Sequence, residues 1–129
     1  MRQRIFTDQA PKPVGPYSQA VKVGNFLFVA GQIGIDPKTG KLREGFEEQV
    51  KQTFENISAI LSACGYSWED VVRVVVYLRD LSKFSDFNRL YQELLKDVSV
   101  PPVRSTVEVS SLPLNALVEI EATAYKEGY

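Results

Sequence analysis

Apolar side chains recur along this chain at two periods. Between positions 46 and 63, Phe46, Val50, Thr53, Phe54, Ile57, Ile60 and Leu61 return every three or four residues, and Cys64 extends the stripe. Glu47, Glu48, Lys51, Gln52 and Glu55 take the outer positions. That spacing predicts an amphipathic helix, stopped by Gly65 in a left-handed conformation. A second helix is predicted from Phe84, Phe87, Leu90, Tyr91, Leu94 and Leu95, with Ser82 as its cap and Asn88 at its margin.

Elsewhere the period is two. Residues 17–23 and 26–30 alternate around Gly24-Asn25 and read as a hairpin. Residues 71–78 are β-branched almost throughout and apolar on both faces, Arg73 excepted, which predicts a central strand. Residues 103–109 and 117–124 alternate cleanly and read as a terminal strand pair. Residues 2–6 suit a short edge strand. Pro11, Pro13, Gly15 and Pro16 make 8–16 irregular, and 36–40 reads as a surface turn. Ser67 is expected to cap a short turn.

The order β-β-β-α-β-α-β-β predicts an α+β fold: a mixed β-sheet with two helices packed on one face. The other side of strand 71–78 then needs a cover that points to a partner subunit. If the terminal strands pair antiparallel with Thr106 opposite Glu119, Arg104 falls opposite Glu121. One cation and two carboxylates would then share a sheet face. That cluster reads either as solvated cross-strand ion pairs or as a site for a small carboxylate, which the guanidinium fork matches. Gly31 reads as a bend or as a place of close backbone approach. Cys64 reads as a buried, inert thiol.

Composition narrows the chemistry. The 129 residues suit one domain spanning 1–129, with 44% apolar residues for a core. A net charge of −1 gives no field for nucleic acid or anionic lipid. No apolar run approaches the ~20 residues of a membrane span. No signal peptide is expected, and a single cysteine fits a reducing cytoplasm. Histidine is absent, which excludes serine–histidine and cysteine–histidine nucleophile systems and argues against an imidazole-rich metal site. Acid–base work would fall to carboxylates, tyrosine, lysine or water.

Three blocks carry a resemblance that spans essentially the whole chain. They are Gly15-Pro16-Tyr17-Ser18-Gln19-Ala20 after Ala10-Pro11, Phe28-Val29-Ala30-Gly31-Gln32-Ile33 before Asp36-Pro37-Lys38-Thr39-Gly40, and Pro102-Val103-Arg104-Ser105-Thr106-Val107-Glu108-Val109 with Leu112-Pro113 and Val118-Glu119-Ile120-Glu121-Ala122. Together they resemble the RidA (YjgF/L-PSP) family of imine deaminases. The resemblance implies a chorismate-mutase-like fold, a homotrimer joined through open sheet faces, and sites in the clefts between subunits. It implies hydrolysis of 2-imino acids, derived from 2-aminoacrylate and 2-aminocrotonate, to 2-oxo acids and ammonia, without cofactor or metal.

Carried over by position, Arg104 binds the substrate carboxylate and Glu119 sits near the attacking water. Tyr17 and Asn88 line the pocket, Tyr17 as a further catalytic residue that donates to the substrate or closes over it and Asn88 as a substrate-binding residue, and Gly31 offers a backbone contact. Thr106 stands where many members have cysteine, so its hydroxyl bears on substrate preference. Two other functions stay open: a regulatory module that binds 2-oxo acids without chemistry, and RNA cleavage, which the near-neutral charge does not favour.

Overall fold

The computed structural model describes residues 1–128. In chain order the elements are β1 (Arg2–Ile5), β2 (Ala20–Val23), β3 (Phe26–Gln32), β4 (Ile35–Asp36), β5 (Lys41–Leu42), α1 (Phe46–Ala63), β6 (Val71–Leu78), α2 (Phe84–Leu94), β7 (Val103–Glu108) and β8 (Val118–Tyr125). Six strands form one mixed sheet in the order β1-β2-β3-β8-β6-β7. Among the described residues only β6 and β7 run parallel. The short pair β4–β5 brackets the 36–40 turn, which the sequence reading left without strands.

Both helices lie on one sheet face. The alternation of β8 puts Val118, Ile120, Ala122 and Ala124 inward, and Val74, Val76 and Leu78 of β6 join them. Against this layer pack Val50, Ile57, Ile60 and Leu61 of α1 and Phe87 and Leu90 of α2. Phe54 stacks on Trp68 at 4.9 Å between ring centroids. The helix periodicity is thus the signal of a single buried layer. Gly65 does end α1 as expected: at φ +77° it sends its N–H to Ser62, and Tyr66 sends its own to Leu61. Ser67 caps the turn at 68–70 through a reciprocal bond with Asp70.

The opposite face carries Val23, Phe26, Phe28, Val103 and Val107, each between 41% and 67% exposed. That is the uncovered face expected from the two-sided strand 71–78.

Four local readings are corrected. The terminal strands do not pair with each other. β8 is flanked by β3 and β6, while β7 reaches the far edge of β6 through α2. The fully buried side chains of β8 need helices above them, so β8 takes the centre. Residues 17–19 lie outside β2, because the Gln19 side chain bonds an irregular segment instead. Asp80, not Ser82, caps the turn before α2, accepting from the Ser82 N–H at 2.9 Å. Gln52 is buried rather than outward, because it links Asn56 and Arg43.

Candidate functional site

Alternation along β8 turns Glu119 and Glu121 to the face opposite the helices. Glu119 is level with Tyr77 of β6 and Glu121 with Val75. Tyr77 donates its hydroxyl proton to Glu121. Glu119 enters a cleft of about 430 Å³, whose walls include Tyr17, Gly31 and the segments 11–14, 33–35 and 113–114. Burial is the main cause of a raised Glu119 pKa, and the neighbouring Glu121 charge adds to it.

Buried amides fix the cleft walls. Gln19 accepts from Thr7 N–H at 2.8 Å and donates to Thr7 O and Pro11 O at 3.1 and 2.9 Å. The proline-rich segment is thereby strapped beside Tyr17, whose hydroxyl accepts from the Val14 N–H at 3.3 Å. Asn56 donates to the carbonyls of Ile33 and Ile35 at 3.1 and 2.9 Å. Gln49 accepts from Leu117 N–H at 2.8 Å, setting the entry to β8. Burying such groups is tolerable only when they are bonded. The sequence reading passed over Gln19, Gln49 and Asn56. Their signal was present, as amides on the inward stripe of α1 and beside a proline-rich run.

Gly31 explains how a carboxylate fits so close to the backbone. The β3–β8 ladder shifts register between Val29 and Gln32. A Cβ on Gly31 would lie 2.8 Å from Cδ of Glu119. Gly31 is therefore a close-approach glycine as well as part of a bulge. Gly31→Ala is expected to push the Glu119 carboxylate out of position, with a melting temperature within a few degrees of wild type. A crystal structure of the variant and calorimetry check this.

Arg104 lies elsewhere. On β7 it is level with Val74, whose side chain faces the helices, so Arg104 and Thr106 also face them. Arg104 Nη2 donates to Asn88 Oδ1 at 2.7 Å. Its guanidinium lies 4.8 Å from the Tyr91 ring centroid, 5.4 Å from Phe87 and 5.5 Å from Phe84. These rings hold the cation through their faces and leave the planar fork oriented. Thr106 Oγ1 and Tyr91 Oη are buried without a hydrogen-bond partner.

Within one chain, then, Tyr17, Gly31 and Glu119 come together on one sheet face, and Arg104, Asn88 and Thr106 on the other. The expected shared face for Arg104 and Glu119 is overturned by the parallel β6–β7 register. Among the described residues no group of three cysteine, aspartate or glutamate side chains is placed to hold a metal ion.

Comparison with known proteins gives a consistent picture. Residues 7–126 match the family model described as Endoribonuclease L-PSP. A RutC family protein of Aquifex aeolicus is 56% identical over 124 residues, covering 96% of this chain and 99% of its own. One from Pyrococcus horikoshii is also 56% identical, covering 98% of this chain and all of its own. The crystal structure of RidA from an Antarctic Psychrobacter superposes with a TM-score of 0.93 at 49% identity, over 96% of this chain and 99% of that one. E. coli TdcF with bound serine superposes with a TM-score of 0.92 at 35% identity, over 97% and 99%.

Proposed function

Because the chain belongs to the L-PSP family, the family of RidA and YjgF, we propose that it hydrolyses 2-imino acids to 2-oxo acids and ammonia in sites completed between protomers of a homotrimer. The observation that carries this reading is the split site. An aromatic-held arginine lies on one face of the sheet, and a half-buried glutamate in a cleft lies on the other. Packing the exposed apolar sheet face of one protomer against the edge strand β7 of the next would bring the two halves together. The serine bound by TdcF supports a ligand of this kind, since an amino acid has the carboxylate and α-nitrogen of an imino acid.

The chemistry needs few groups. Arg104 grips the substrate carboxylate through its fork, and Asn88 fixes the plane of that fork. The Thr106 hydroxyl supplies a further donor. Held this way, C2 of the protonated imine meets a water oriented by Glu119. The water oxygen bonds to C2 while Glu119 takes its proton. The C=N π electrons pass to nitrogen, giving a carbinolamine. Glu119 returns that proton to the nitrogen and ammonia departs; the freed Glu119 carboxylate then takes the remaining hydroxyl proton as C=O forms and passes it to ammonia or bulk water. Its raised pKa suits a group that both takes and gives a proton.

The test is a coupled assay in which threonine dehydratase generates 2-iminobutanoate. The protein is expected to speed imine loss well above its spontaneous rate, with 2-oxobutanoate and ammonia rising in step. Decay at the spontaneous rate, with 2-oxobutanoate still bound, would leave a binding module and remove the enzyme.

A further inference from the structure

Within one protomer the cleft has a volume of about 430 Å³, and part of its wall beyond Glu119 is apolar. Val14, Ile33, Ile35 and Leu114 line it, within the volume range of pockets for organic ligands. Leu114 is the unusual member. It sits at φ +57° and is followed by Asn115 at φ +59°. A branched L side chain avoids that left-handed region. The turn that imposes it is pinned by Asn115 N–H to Leu112 O at 3.2 Å and Ala116 N–H to Pro113 O at 3.0 Å. The result is a leucine 64% exposed at the cleft edge, neither buried in the core nor relaxed in conformation. Strained residues of this kind concentrate where a side chain is held for a purpose.

We infer that Leu114 is a specificity residue: it completes an apolar wall that selects acids with a branched aliphatic side chain over three-carbon acids. This rests on the proposed site. Carboxylate and imine would be engaged by Arg104 and Glu119, so the remainder of the substrate would extend along the apolar wall. The cation lining the same cleft is Lys12, which is exposed on the strap. A substrate with a second carboxylate is therefore the competing class.

The experiment uses the assembled full chain and two variants that suit left-handed backbone. Leu114→Gly removes the side chain, and Leu114→Asn keeps its approximate shape but makes it polar. Calorimetry measures affinity for 4-methyl-2-oxopentanoate, pyruvate and 2-oxoglutarate, and turnover is followed on the imines of the first two. Wild type is expected to prefer the branched acid. In both variants the ratio of branched to three-carbon affinity, and of kcat/KM, should fall about tenfold. The variants should melt no lower than wild type, because the strain is relieved. An unchanged ratio would overturn the inference, as would tighter binding of 2-oxoglutarate than of the branched acid. No turnover of any imine, with the binding preference present and lost in the variants, would remove the deaminase reading and leave the specificity assignment standing.

Discussion

Arg104→Ala is expected to cut kcat/KM for 2-iminobutanoate by about 10³-fold. Losing one partner of a desolvated charge pair costs about 2–5 kcal/mol, and every 1.4 kcal/mol is tenfold. Arg104→Lys should recover only a small part. An ammonium keeps the charge but cannot present the planar fork that Asn88 and the three rings orient. The division of the site gives a sharper test. Arg104→Ala and Glu119→Gln protomers should each be inactive alone. Unfolded together and reassembled in equal amounts, they should regain roughly a quarter of wild-type turnover, the share of head-to-tail interfaces that pair an intact arginine with an intact glutamate. A site contained in one chain would regain nothing. That outcome would reject the composite site while leaving the reaction itself to be judged by the coupled assay.

How much of this was readable beforehand follows from the range of the signals. Periodicity is local, so it located α1 at Phe46–Ala63 and β6 at Val71–Leu78. The element order implied a mixed sheet, and the two-sided apolar pattern of β6 implied a sheet face left uncovered by the helices. Strand neighbours are not local. The alternation of β7 and β8 is compatible with a hairpin, but the choice is made by the helices, which must cover all of β8 and only part of β7. The error mattered: a parallel β7 turns Arg104 to the helix face, so Arg104 and Glu119, expected on one sheet face, lie on opposite faces of the same chain. The buried amides were missed for a related reason. Gln52 reads as an outer-face residue, and Gln49 and Asn56 are polar side chains on an inward stripe; only the fold brings Arg43, Ile33 and Ile35 to meet them. Gly31 carried the right signal of close approach, but its partner, Glu119, is 88 positions away and only the fold joins them.

Glu119→Gln should lower kcat by about 10³-fold, within the range for loss of a general acid–base, yet it should not destabilise the fold at neutral pH. The two effects have one cause. Burial, with Glu121 alongside, raises the Glu119 pKa from its ordinary value. The folded chain therefore binds this proton more readily than the unfolded chain. Stability from this group grows as pH falls through the folded pKa, and above that pKa the ionised carboxylate is a cost of folding. Glutamine removes the charge with little change of shape, so the variant should melt at or above the wild-type temperature near pH 8. Toward pH 4, where wild-type Glu119 is itself protonated, that advantage should close. Activity runs the other way: with the carboxylate as the form that accepts the proton from water, wild-type kcat should rise with pH through the Glu119 pKa, and the residual rate of Glu119→Gln should lose that inflection. Thermal melts and rate profiles across pH 4–8 test both halves. A variant that is less stable at pH 8, or that keeps the wild-type inflection, would show that the charge at Glu119 is not what the cleft is built to hold.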